Sequence, residues 1–284
     1  MGLLDVLGVT VQFGGVTAVD NASISVEAGS ITGLIGPNGA GKTTLFNVIT
    51  GLQPPTHGRV WFSGNDVSKS TPNSRAKAGM ARTFQRLEAF GSLTVRENVL
   101  AAREIYGGVS SWFSGGKDPV VDELIERVGL TRYAGQRADS VPTGVARLLE
   151  MARALAIEPQ LLLLDEPSSG LDEAETETFG DLLLELAEEG RAILMVEHDM
   201  DLVMRVCDVI HVLEFGRVIA TGTPAEIRSD RAVQAAYLGF TDDSADAAET
   251  TAVLNEFAGE HDEFLAAMLP AETTMELPIW EGDE

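Results

Sequence analysis

The segment Gly36-Pro37-Asn38-Gly39-Ala40-Gly41-Lys42-Thr43-Thr44 constrains this chain more than any other, because it follows the pattern G-x-x-x-x-G-K-[ST]. It comes directly after an apolar run, Ile31–Ile35, that reads as a buried strand, and before a helix-like run over 44–49. Its glycines thus fall at a strand-to-helix turn. Glycine lets the backbone curl until successive N–H groups point at one anion. Lys42 adds a cation for the β and γ oxygens of a nucleotide, and the Thr43 hydroxyl is of the type that ligates Mg²⁺.

A second motif supplies carboxylates. Leu161-Leu162-Leu163-Leu164-Asp165-Glu166 is an aliphatic strand ending in two acids. A buried parallel strand delivers the residues at its C-terminal end to the ligand crevice of a doubly wound sheet. Asp165 is predicted to hold Mg²⁺ through its water shell. Glu166 is predicted to polarise the water that attacks the γ-phosphorus, which requires a carboxylate within hydrogen-bond reach.

Composition narrows the partners. The chain has 284 residues, 44% of them hydrophobic, enough for a sizeable core. No stretch approaches the ~18 to 20 consecutive apolar residues of a spanning helix. Aliphatic runs such as 161–164 and Ala192–Val196 have strand length, so a membrane role has to come through a partner. Residues 1–8 lack a basic region before an apolar core, and the expected location is cytoplasmic. The single cysteine, Cys207, reads as a small buried hydrophobe in a reducing compartment. A net charge of −24 with only four lysines argues against a nucleic-acid partner. The phosphate ligand is expected to be small and metal-bound.

Acidity is concentrated at the C-terminal end. Residues 241–284 carry thirteen Asp or Glu and no Lys or Arg, which leaves −11 of the −24 on the first 240 residues. Upstream of a boundary near Phe240, segments 9–13 and 22–26 alternate as strands. Residues of about 95–156 carry helical periodicity, broken by Gly107, Gly108, Gly115 and Gly116 around Trp112 and Phe113. Strands over 161–164, 192–196, 209–213 and 217–221, with a helix over 173–189, complete an α/β core with a parallel sheet. In the tail, Val253, Leu254, Phe257, Phe264, Leu265, Met268 and Leu269 share one helical face. They predict an amphipathic helix over 250–269, read first as docking on the chain's own surface and second as a regulatory element.

The two motifs, with Gln85 between them and Ser168-Ser169-Gly170-Leu171-Asp172 and His198 after them, resemble the ATP-binding cassette (ABC) family over about residues 4 to 240. Within it the chain is most similar to the ATPases of branched-chain amino acid importers. Ala81-Arg82-Thr83-Phe84-Gln85, Leu93-Thr94-Val95-Arg96-Glu97-Asn98-Val99, Gly222-Thr223-Pro224-Ala225-Glu226-Ile227 and Ala236-Tyr237-Leu238-Gly239 carry that likeness. The resemblance implies a P-loop NTPase of ABC type over 1–240, with a mixed sheet core, an antiparallel β subdomain and a helical signature subdomain at about 95–156. It implies ATP and Mg²⁺, a second ABC ATPase as homo- or heterodimer partner, transmembrane permease subunits and, indirectly, an extracytoplasmic solute-binding protein. The place of work would be the cytoplasmic face of the membrane.

By the same resemblance Gln85 touches Mg²⁺ or the attacking water and relays nucleotide state to the permease. His198 contacts the γ-phosphate and steadies the catalytic glutamate, Asp172 crosses to the second subunit, and Phe13 stacks on adenine. The family's L-S-x-G-Q signature falls on Val141-Pro142-Thr143-Gly144-Val145, where the serine is replaced by Pro142 and the glutamine by Val145. Proline suits a helix's first turn but offers neither hydroxyl nor N–H, leaving Thr143 and Gly144 as donors to a phosphate held by the opposite subunit. The composite site that uses this signature is expected to be the weaker of two. The rival readings are a soluble ABC ATPase serving an assembly machine such as iron–sulfur biogenesis, and a nucleotide-gated subunit with little hydrolysis.

Overall fold

Apolar residues alternate along β1 (Leu4–Phe13), but the alternation changes parity at Gly8: Leu4 and Val6, then Val9 and Val11, are all fully buried. Gly8 has φ +57°, and pairing to both neighbouring strands slips there, so a bulge returns the apolar side chains to one face. β1 pairs antiparallel with β2 (Val16–Val26) and with β4 (His57–Phe62), which turns back into β5 (Asn65–Asp66). The computed structural model describes residues 2–83, 89–107 and 118–236, all within the compact unit Met1–Tyr237.

Among these residues a second sheet has the order β10-β9-β3-β8-β7-β6. Its parallel members are β3 (Ile31–Ile35), β6 (Met80–Arg82), β7 (Leu161–Asp165), β8 (Ala192–Val196) and β9 (Val209–Glu214). Every residue of β3, β7 and β8 is buried, as strands covered on both faces require. β10 (Arg217–Gly222) runs antiparallel to β9, because the connection through Phe215 and Gly216 is too short for the crossover that a parallel neighbour needs. The sheet is therefore mixed.

Helices α1 (Lys42–Thr50) and α2 (Pro72–Lys77) lie between β3 and β6 in the chain. The buried Arg75 of α2 closes the end of α1: its guanidinium donates to the carbonyls of Val48 at 2.7 Å, Ser70 at 3.2 Å and Ser68 at 3.3 Å, and also to Ile49. A cation there also opposes the negative end of the helix dipole. Between β6 and β7 come α3 (Val95–Gly107), α4 (Pro119–Arg127) and α5 (Thr143–Leu155). Asn98 of α3, fully buried, accepts from the Phe90 amide at 2.8 Å and donates to the Phe90 and Thr94 carbonyls, both at 3.0 Å. It thereby fixes the entry to that helical segment. The remaining helices are α6 (Glu173–Glu188), α7 (Met200–Val206), α8 (Pro224–Ser229) and α9 (Arg231–Ala236). Gln85, the loop around Trp112 and Phe113, the motif residues Tyr237 to Gly239, and the tail with its predicted helix lie outside the described residues.

Since β3, β8 and β7 are adjacent and parallel, their C-terminal ends open on one side of the sheet. The phosphate loop follows β3, Glu166 follows β7, and Glu197 and His198 follow β8. Three chemically loaded turns are thus brought together by strand order alone.

Candidate active site

The loop after β3 needs its glycines. Gly36, Gly39 and Gly41 have φ of +150°, +81° and +102°. A side chain at Gly36 would meet the Leu213 carbonyl, and one at Gly41 the Ala18 carbonyl. Gly41 is also the N-cap of α1, which has no side-chain cap, so the first-turn amides of α1 are left for a ligand. Lys42 begins that helix and its Nζ folds back on the loop, donating to the carbonyls of Gly36 and, at 3.0 Å, Pro37. Burial pulls its pKa below the ordinary lysine value, and the nearby charges of Glu166 and Asp165 push it back up.

Ala18, Asn38, Gly39, Ala40, Gly41, Lys42, Thr43, Thr44, Asp165, Glu166, Val196 and His198 line one open cleft of about 290 Å³. Thr43 is exposed in it. Asp165 is 6% exposed and forms an ion pair with Arg82 of β6, Nη2 to Oδ2 3.0 Å. Arg82 also donates to Asn47 Oδ1 at 2.6 Å and lies over the Phe46 ring, which ties Asp165 to α1. Glu166 is a non-glycine residue at φ +50°, a strained conformation of the kind found at functional sites. Its amide donates to Val196 O at 2.8 Å, and its Oε1 lies 3.3 Å from His198 Nε2.

Among the described residues no group of three or more His, Cys, Asp or Glu forms a metal cage. An exposed threonine hydroxyl and one buried carboxylate on the same cleft as an uncapped helix start form a donor set suited to Mg²⁺. That ion is commonly held by one or two protein oxygens together with substrate phosphates and water.

The other predicted residues are placed as follows. Phe13 ends β1, half exposed, and does not line the cleft. Asp172 caps α6, accepting from the Glu175 amide at 2.8 Å while Glu175 reaches back to the Asp172 amide at 3.1 Å. Pro142 is the N-cap of α5 rather than a first-turn residue, and no side chain caps that helix. Thr143 is exposed. Gly144 is buried so tightly that a Cβ would lie 2.8 Å from Gly170 O.

Two contributors were not singled out from sequence. Arg82 sits within the quoted Ala81-Arg82-Thr83-Phe84-Gln85, and Glu197 directly precedes His198. An Arg in a short strand and a buried Glu beside a His are signals that acquire meaning only with the strand order in hand.

Residues 19–169, more than half of the chain, match the family model described as ABC transporter. The chain belongs to the ABC transporter family, as an ATPase cassette. Residues 217–239 of the cassette also match a model described as branched-chain amino acid ATP-binding cassette transporter. It is 39% identical to the high-affinity branched-chain amino acid transport ATP-binding protein LivG of Salmonella typhimurium, over 84% of this chain and 98% of that one. It is 36% identical to the corresponding protein BraF of Pseudomonas aeruginosa, with the same coverage. Among solved structures, the ADP conformation of the cassette MJ1267 superposes with a TM-score of 0.74 at 32% identity, covering 84% of this chain and 99% of that one. The dimeric bacterial ABC transporter cassette MJ0796 does so with a TM-score of 0.70 at 27% identity, covering 78% and 98%. The mixed sheet, the antiparallel sheet and the helical segment are those of an ABC cassette, as the family resemblance implies; the strand pattern alone points to a parallel sheet, which the antiparallel β10 corrects.

Proposed function

We propose that this cassette is the ATP-hydrolysing subunit of an importer of branched-chain or related amino acids or amides, bound through permease subunits to the cytoplasmic face of the membrane. The convergence of Lys42, Asp165, Glu166 and His198 from three adjacent strands on one cleft carries the reading. The free amides of the phosphate loop and Lys42 bind the β and γ phosphates. Thr43, Asp165 and Gln85 would hold Mg²⁺, which supplies positive charge to the phosphate oxygens. Glu166 orients and polarises the attacking water, and His198, within 3.3 Å of it, steadies the carboxylate and meets the γ-phosphate. Phe13 offers a ring face to adenine.

A second cassette completes each site with its signature and Asp172 loop. In this chain that contribution is Pro142, Thr143 and Gly144, so the composite site using it is the weaker one, and a mixed dimer with a regular partner is functionally asymmetric. The named relatives support an importer over an iron–sulfur assembly ATPase. The test is twofold. Glu166→Gln lowers kcat by about 10² or more with nucleotide affinity retained. Solubilised membranes yield the chain together with permease subunits. Unchanged turnover, or soluble partners alone, overturns the reading.

A further inference from the structure

Two loops leave the sheet side by side, one after β7 with Glu166 and one after β8 with His198. The sheet's own ladder extends only as far as the bond from the Glu166 amide to Val196 O. Pro167, next in line, has no N–H. Yet Glu166 and His198 are held 3.3 Å apart.

Glu197 spans the gap. The residue is 3% exposed, and among the described residues His198 Nε2 is directed to Glu166 rather than to Glu197. Its Oε1 accepts from the Ser168 amide at 2.7 Å, on the loop after β7. Its Oε2 accepts from the amides of His198 at 2.8 Å and Asp199 at 3.4 Å, on the loop after β8. A buried carboxylate survives only where such donors replace water, and hydrogen bonds to a charged acceptor are the strong kind. One side chain therefore locks the backbones on both sides of the Glu166–His198 pair. We propose that Glu197 is a positioning residue for hydrolysis, a carboxylate clamp that sets the spacing of Glu166 and His198 without touching nucleotide.

Both oxygens have to be acceptors. Glutamine keeps the shape but presents an NH₂ group to an N–H on one side, and aspartate is one methylene short of reaching both loops. The inference rests on the hydrolytic reading above, so the test separates the two. Amide exchange of nucleotide-free full-length protein, followed at Ser168, His198 and Asp199, reads the clamp directly. In Glu197→Gln these amides exchange faster by on the order of tenfold or more, matching the loss of a charge-assisted bond. Turnover reads its purpose: kcat falls on the order of tenfold to a hundredfold while nucleotide Kd stays within about twofold. Combined with His198→Ala, Glu197→Gln adds no further loss, because both act on one pair. A purely structural role would multiply the two losses.

Unchanged exchange, or multiplicative losses in the double variant, overturns the clamp. Glu197→Asp, which keeps the charge, serves if the glutamine variant does not fold, and it is expected to protect the His198 and Asp199 amides but not Ser168. Absence of hydrolysis by the wild-type chain with its permease overturns the hydrolytic reading, and the exchange data then still decide the clamp.

Discussion

Arg82 Nη2 lies 3.0 Å from Asp165 Oδ2, with each side chain 8% exposed, so the acid proposed to hold the metal already carries a partner charge. The pair is paid for by geometry: Arg82 also holds Asn47 of α1, and Thr83 beside it accepts from the Asp165 amide at 3.3 Å. Strand β6, which presents Arg82, leads within three residues to Gln85.

Removing the cation alone strips the buried carboxylate of its ion-pair partner and leaves only the more distant charge of Lys42. Arg82→Met is expected to destabilise the nucleotide-free protein by about 3 kcal/mol, the usual cost of breaking a buried pair from one side. Replacing both partners, Arg82→Met with Asp165→Leu, restores much of that stability. Urea unfolding of the four proteins checks it: a double variant as unstable as the sum of the singles would mean the pair is not a coupled unit.

Arg75 presents a second buried cation, with a different support. Its partners are backbone carbonyls at the end of α1 and in the turn before α2, and desolvation holds its pKa below the usual arginine value. Arg75→Met leaves those carbonyls unpaired and is expected to cost about 2 to 4 kcal/mol. Because α1 carries the phosphate loop, nucleotide affinity falls with it. Thermal melts with and without nucleotide would register both effects.

Much of this was legible in the sequence. The strand before Asp165 is an unbroken run of leucines, and the one before the phosphate loop is apolar but for the small Thr32 and Gly33 and ends close to Gly36; burial on both faces makes such segments nearly continuous in apolar residues. The bulge at Gly8, the short strands β5 and β6 and the roles of Arg82 and Glu197 were not. Each depends on which strands are neighbours, and a two- or three-residue strand carries no periodicity. Asp172 shows the reverse case: the D-x-x-E spacing of a capping box is visible in Asp172 and Glu175 and the structure forms that box, whereas the family resemblance implies for Asp172 only a contact with the second subunit.

Burial together with the neighbouring Asp208 pushes the Cys207 thiol up to about 12. Thiolate is the reactive form, so at pH 8 the folded protein should resist a thiol-reactive disulfide reagent and react only as it unfolds. The rate of labelling in native buffer should therefore track the opening equilibrium and rise steeply with denaturant. Rapid stoichiometric labelling without denaturant is the contrary outcome.

On the acid side, hydrogen bonds from Thr94 and Thr223 hold the carboxyls of Glu97 and Glu226 below the usual glutamate range. A carboxyl whose folded pKa is depressed binds fewer protons folded than unfolded between the two pKa values. Its contribution is complete above the unfolded value, near 4.5, and disappears as pH falls through the folded one. The denaturation midpoint should thus decline below about pH 4.5, and less steeply in Glu97→Gln and Glu226→Gln than in wild type. A steeper decline in either variant would assign the acid sensitivity to other groups.

Pro142 decides whether the irregular signature matters for chemistry. A serine there would accept from the α5 first turn, a cap worth about 1 kcal/mol, but it would forgo the rigidity of a proline already at φ −57°, worth about 0.4 to 1 kcal/mol. The two nearly cancel, so Pro142→Ser should leave the melting temperature almost unmoved. What changes is the hydroxyl offered to the nucleotide of the facing cassette. In a homodimer that closes both sites with this signature, Pro142→Ser should raise kcat severalfold. In a mixed dimer where the partner's signature is regular, it should act on one site only. Steady-state hydrolysis by both assemblies separates these cases, and equal turnover with and without the substitution in the homodimer would remove the asymmetry from the proposed mechanism.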